Sequence, residues 1–264
     1  MGVTLLSKNV ARVAVVMPVY NECESVLKIM SDVLALDLDG VELRLVVVES
    51  ASTDGTREVL QGMPTDSRVQ LVYQDHASGK GNALREGFGY VENHEIILIQ
   101  DADLEYDTSD YSKLLRPIIA GESTFVLGSR HVPGQPIRTM AGEPVSSFVT
   151  NLGHAFFCAL FNITYGVKLA DPFTMYKIFP AEAIRGMRFD SDRFDFDWEL
   201  AAKLIRTGNA PLEIPVTYMS RGFKQGKKVR LFRDPLTWVH AAVKFRLARV
   251  ESYYQPPLEN RSGS

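Results

Sequence analysis

The sequence predicts an α/β fold: a mostly parallel sheet with helices on both faces, followed by a C-terminal amphipathic helix. Three observations predict it. Short runs rich in Val, Ile and Leu alternate with segments of helical spacing through the first 130 residues. Turn formers such as Asp54-Gly55 separate them. Polar residues gather where the apolar runs stop, which is where an open α/β sheet has its crevice.

Taken in order, RVAVVMPVY is a buried strand and ESVLKIMSDVLAL a helix with apolar residues at 3–4 spacing. VELRLVVVES is the second strand, TREVLQGM the second helix and RVQLVYQD the third strand. GKGNALREGFGYV opens on glycines and turns helical; EIILIQDAD is the fourth strand. TSDYSKLLRPII is a helix capped by Asp107 or Thr108, and STFVLGSR is the fifth strand. Strands alternating with helices make βαβ units, hence a covered parallel sheet. The second half is less regular. Residues 145–161 are helical and apolar around much of the circumference. MYKIFPAEAI is a strand running into a short helix, DFDWELAAKLIRTG a helix stopped by Gly208, and APLEIPVTYM a strand. Pro235 starts the last helix, with Leu236, Val239, Val243, Leu247 and Val250 on one stripe. The expected division is a single domain over 1–234, with halves near 10–130 and 131–234, then the helix 235–254 and a flexible tail 255–264.

Composition excludes several classes. Among 264 residues, Cys23 and Cys158 alone cannot build a disulfide framework or a multi-cysteine zinc site, and they suit a reducing compartment. The N-terminus is too short and polar for a signal peptide, and no run of 18 apolar residues is present. A P-loop fails at Gln74 and Gly81, and G-x-S-x-G and H-E-x-x-H are missing. The net charge of −3 is uneven: nine Lys or Arg against Asp234 alone fall between Arg221 and Arg249. Such a basic segment on an acidic body suits phosphate, nucleic acid or an anionic lipid surface.

The chemistry concentrates at the strand ends. Asp101 and Asp103 stand two apart after an apolar run, and in extended chain both face one side. Paired hard oxygens suit Mg2+ or Mn2+. The Gly79-Lys80-Gly81 turn before a helix offers backbone N–H groups and an ammonium to an anion. Glu49 at a strand end can accept from a base or ribose. Asp197, early in the DFDWEL helix, is either a site carboxylate or a charge that favours the helix dipole.

PVYNE, VVVESASTDGT, GKGNALREG, DADLE and GSR occur in the order and approximate spacing of the inverting family-2 glycosyltransferases of GT-A (Rossmann-like) fold, which the chain resembles over roughly residues 12–245. NLGHAFFCALFNITYGVKLADPFTMYKIF, FDFDWEL and YMSRGFKQGKK are similar to the dolichyl-phosphate mannosyltransferase and polyprenyl-phosphate glycosyltransferase branch. The resemblance implies that Pro18, Tyr20, Glu22, Glu49 and Lys80 bind a nucleoside diphosphate sugar. It implies that Asp101, Asp103 and Glu105 surround the metal, with Asp101 also serving the donor. Arg130 matches an arginine near the acceptor phosphate, and Arg221 and Lys228 a basic loop that closes on phosphates. Asp197 matches an Asp at the family's helix start. Ser50 and Ala51 depart from the family's D-D-G-S motif, and Lys227 from its S-K pair.

The expected function is therefore metal-dependent, inverting hexosyl transfer to a polyprenyl phosphate by a cytoplasmic protein peripheral to the membrane, with no nucleic-acid partner. Transfer to a hydroxyl with Asp197 as base is the alternative; a non-catalytic nucleotide-sugar-binding protein is the alternative of another class. Residues 145–161 and the helix 235–250, with Trp238, Lys244, Phe245, Arg246 and Arg249, are the expected membrane-facing segments.

Overall fold

The computed structural model describes residues 10–131, 144–193, 195–220, 242–247 and 250. Seven strands form one sheet: β1 (Ala11–Val19), β2 (Val41–Ser50), β3 (Val69–Gln74), β4 (Ile96–Ile99), β5 (Phe125–Ser129), β6 (Lys177–Pro180) and β7 (Pro211–Pro215). The helices are α1 (Val26–Leu34), α2 (Thr56–Gln61), α3 (Lys80–Phe88), α4 (Tyr111–Ile119), α5 (Pro144–Tyr165) and α6 (Asp195–Arg206). Strand order is β3-β2-β1-β4-β6-β5-β7. The β1–β2, β1–β4, β2–β3 and β5–β7 pairings are parallel.

β6 is the exception. It lies antiparallel between β4 and β5. The alternating pattern of the first half gives no sign that a strand from the second half inserts there. Its reversed direction has a consequence for the site: β6 starts at Lys177, level with Leu127 in β5, and the next residue, Ile178, pairs with Leu98 near the carboxyl end of β4.

The Val-rich runs of β1 and β2 are buried on both faces: Val13, Val15, Val16, Val46, Val47 and Val48 are inaccessible. Helices cover them, as a parallel sheet requires. α3 lies against β1 and β2 so closely that a Cβ on Gly87 would stand 2.6 Å from Val16 Cγ1. Asp107 caps the turn before α4, its carboxylate accepting from Ser109 N at 2.9 Å. Gly208, at φ 93°, follows α6 as the stop signal requires.

Of the terminal helix, 242–247 is described, and it corrects one expectation. Phe245 is 1% exposed, packed in the core, and its carbonyl accepts from Arg206 Nη1 at 2.6 Å. Lys244 reaches Asp190 at 3.4 Å. Phe245 therefore packs on the domain, while Lys244 stays partly exposed. Val243 and Leu247, one turn apart, face outward. Trp238, Arg249, Arg221 and Lys228 lie outside the described residues.

Candidate donor and metal site

The strand order reverses direction of growth at β1, so β1 and β4 flank the crevice. The loop after β1 is tied to the loop after β2. Asn21, at φ 51°, accepts from Thr53 N at 2.8 Å and its own N–H donates to Ser52 Oγ at 2.9 Å. Glu22 N donates to Thr56 Oγ1 at 2.9 Å, while its carboxylate accepts from Ser25 Oγ at 2.8 Å. Pro18 is within β1 and Tyr20 is exposed beyond it.

Glu49, at the end of β2, is 1% exposed. One carboxylate oxygen accepts from Ser52 N at 2.6 Å; the other pairs with Arg57, whose guanidinium lies 5.4 Å over the Tyr73 ring. Gln74 extends the network, accepting from Ser50 Oγ at 2.8 Å and donating to Asn82 at 2.8 Å. Glu49 is thus held inside a web of partners that its position in the sequence does not disclose.

β4 stops at Ile99, earlier than the sequence pattern implied. Asp101 and Asp103 therefore lie on a turn, and the same-side rule of an extended chain does not apply to them. Leu104 takes φ 60°, and Asp103 Oδ1 accepts from Glu105 N at 3.1 Å. Behind the turn, Tyr111 and Tyr176 donate to Gln100 Oε1 at 2.8 and 2.9 Å, and Gln100 Nε2 holds the Asp101 carbonyl at 2.9 Å. Glu105 turns elsewhere: its carboxylate accepts from Tyr218 OH at 2.5 Å. Among the described residues no three His, Cys, Asp or Glu side chains converge as a metal-holding group, so Asp101, Asp103 and Glu105 do not form the three-carboxylate cluster expected.

Lys80 Nζ reaches Asp101 Oδ1 at 2.5 Å. Burial opposes the Lys80 charge, but the carboxylates of Asp101, Asp197 and Asp103 outweigh it and raise its pKa. The glycine after Lys80 has a second reason to be there. A Cβ on Gly81 would stand 2.6 Å from Phe196 Cβ and 2.7 Å from Ser191 O, and Asn82 N donates to Asp192 O at 3.1 Å. Gly81 thus lets the start of α3 touch the backbone leading into α6.

On the far side of the crevice the charges are buried in pairs. Arg130 donates from Nε and Nη2 to Asp171 at 2.7 Å each, and its guanidinium lies 5.4 Å from the Tyr218 ring centroid. Burial alone would raise the Asp171 carboxyl; the Arg130 guanidinium holds it well below the usual carboxylate range. That pairing commits the fork of Arg130 to a protein carboxylate. His154 stands 3.7 Å from Asp171 and 3.1 Å from Cys158 Sγ through the same ring nitrogen, and burial pushes the thiol up. Cys158 is therefore no activated nucleophile. Asp197, in the first turn of α6, has Oδ1 3.1 Å from the ammonium of Lys177.

Sequence reasoning passed over Asp171, Lys177, Arg57 and Tyr218. For Lys177 a signal existed: a lone lysine in the apolar run MYKIFP. Asp171, in a loop, carries no comparable mark.

Comparison with known proteins identifies the family and the fold. The family described as Glycosyl transferase family 2 matches residues 14–176. Glycosyltransferase AglJ of Haloferax volcanii is 30% identical over 212 residues, covering 79% of this chain and 63% of that protein. The chain thus spans less than two thirds of that relative's length. Undecaprenyl-phosphate mannosyltransferase of Micrococcus luteus is 26% identical, covering 82% of this chain and 87% of its own. Among solved structures, glucosyl-3-phosphoglycerate synthase of Mycobacterium tuberculosis with Mg2+ and UDP superposes with TM-score 0.63 at 17% identity, covering 89% of this chain and 79% of the other. Mannosyl-3-phosphoglycerate synthase of Rubrobacter xylanophilus gives 0.65 at 18% identity, with 94% and 78% covered. At such identities the likeness is one of fold, and the fold is that of the GT-A synthases.

Proposed function

From the premise that the chain belongs to the family-2 glycosyltransferases, we propose that it moves a hexose from a nucleoside diphosphate sugar to a polyprenyl phosphate at a membrane surface. The observation that carries the acceptor is the Lys177–Asp197 pair. A hydroxyl acceptor needs a base. The carboxylate that the sequence offers for that task is engaged by a buried ammonium, 3.1 Å away. A phosphate monoester arrives already ionised and needs no base.

α5 supports a lipid acceptor. Phe148, Leu152, Phe156 and Ile163 line one outward face of it, from 59 to 82% exposed. Val243 and Leu247 add a second outward apolar pair. Among the described residues no helix is long and apolar enough to cross a membrane, so contact would be along the surface. The M. luteus relative is named for transfer to undecaprenyl phosphate.

On the donor side, Tyr20, Glu22 and the Glu49–Arg57 corner lie where the nucleoside would bind, with Pro18 in the strand beneath. Lys80 would meet the diphosphate; Arg221 and Lys228 are proposed as further phosphate-binding residues on the sequence resemblance alone. Asp101 and Asp103 fit Mg2+ or Mn2+: two hard carboxylates on one turn, with the remaining ligands coming from phosphate and water. Bound there, the ion would neutralise charge growing on the leaving diphosphate.

The test is a panel of nucleotide sugars with Mn2+, with and without polyprenyl phosphate, followed by extraction of labelled lipid. Label entering the lipid fraction only when the phosphate is present is expected. Equal transfer to soluble hydroxyl acceptors would overturn the acceptor assignment. Asp197→Asn separates the two in a second way: a base contributes about 10²–10⁴-fold, whereas less than about tenfold is expected here. Asp103→Ala is expected to abolish metal-dependent transfer in a folded protein.

A further inference from the structure

The crevice gathers carboxylates yet must accept a diphosphate. Asp101 is neutralised by Lys80 at 2.5 Å and Asp171 by Arg130 at 2.7 Å. Asp197 is close to the same corner: Gly81, next to Lys80, abuts Phe196, next to Asp197, and the Asp197 carboxylate contributes to the field at Lys80. Its partner is Lys177, whose side chain is 0% exposed. The ammonium donates to Asp197 Oδ1 and to the Thr174 carbonyl. Burial lowers the Lys177 pKa and Lys80 on α3 adds to that, while the carboxylates of Asp197 on α6 and Asp171 on the loop before β6 oppose it and favour the ammonium. Burying an ammonium at the start of a strand is costly, and packing alone would be served by an apolar side chain. Only the antiparallel insertion of β6 brings this residue to the crevice edge.

We propose that Lys177 is the buried counter-charge that lets anionic donor phosphates bind beside Asp197, acting through Asp197 as a positioning residue rather than by touching substrate. The inference rests on the donor site proposed above and is independent of the acceptor. It assigns opposite signs to two ligands. Removing the Lys177 charge makes the crevice more negative, which weakens anion binding and strengthens cation binding. A site merely loosened by the substitution would lose both.

The experiment measures Mn2+ alone by electron paramagnetic resonance, and UDP, GDP, ADP and CDP at saturating Mn2+ by calorimetry. It compares wild type, K177M, D197N and K177M/D197N. K177M is expected to weaken nucleotide binding about tenfold, the scale of one nearby unit charge under partial screening, and to raise Mn2+ affinity. D197N is expected to do the reverse, and the double variant to return both towards wild type. K177M weakening both ligands, or changing neither, overturns the proposal. Should K177M fail to fold, D197N carries the same test, and nucleotide binding that it leaves unchanged or weakens is the refuting result. Wild-type protein that binds none of the four nucleotides would sink the donor reading and this inference together; wild-type binding with K177M unchanged sinks the inference alone.

Discussion

The two halves of the molecule bury charge differently. In the first half each buried carboxylate meets a cation that reaches solvent: Glu49 with Arg57, Glu95 with Arg44, Asp110 with Lys113. From the boundary of the halves onward both members go inside: Arg130 with Asp171, Lys177 with Asp197, Lys203 with Glu199. In the first kind the cation keeps part of its hydration, although the carboxylate is buried. A pair with both partners buried leaves an unsolvated charge when either is removed. The two halves thus differ in whether the cation of a buried pair still reaches water.

The contrast can be broken where it is sharpest. Asp171→Asn leaves Arg130 unpaired in the interior and is expected to cost about 3–5 kcal/mol in urea unfolding. The same variant should flatten the acid limb of the stability curve. The Asp171 carboxyl is held below its unfolded value, so it stabilises the fold above the ordinary carboxylate range and loses that contribution as pH falls through its folded value. In wild type, melting temperature should fall steeply on acidification; an unchanged slope in the variant would show that Asp171 is not the group responsible.

Gly87→Ala probes the first half. The added methyl meets Val16 and Val48, and overpacking of this kind costs about 1–3 kcal/mol. A neutral result would mean that α3 can shift on the sheet without loss. Tyr218→Phe removes the hydroxyl that Glu105 accepts. About 1 kcal/mol is expected for one hydrogen bond, or up to about 3 if the carboxylate is stranded. Smallest of all, Lys28→Ala breaks an exposed pair with Asp32 on α1 and should change stability by less than about 0.5 kcal/mol. A cost near that of Asp171→Asn would erase the distinction between the halves.

The first half was legible because its signals are local. Val-rich runs bounded by turns mark β1 and β2, and Asp54-Gly55 and Gly79-Lys80-Gly81 mark the breaks after β2 and β3. The candidate site was legible as a set of positions: Lys80 and Asp101 meet as an ion pair at the edge where the pattern placed them. Their partners were not. The sequence places Glu105 beside the Asp pair and does not disclose that Tyr218, 113 residues away, donates to it. The sequence marks Arg130 as a basic residue at a strand end and does not disclose that Asp171 pairs with it.

By itself the sequence determined which segments become strands and helices and which residue types collect at the strand ends, because periodicity and turn chemistry act over a few residues. The tertiary structure alone decided that β6 enters the sheet reversed, that Gly81 and Gly87 serve close approach, and which cation neutralises which carboxylate. Those outcomes depend on contacts between segments far apart in the chain. The cost of burying a charge, which selects its partner, exists only once the fold has removed the water.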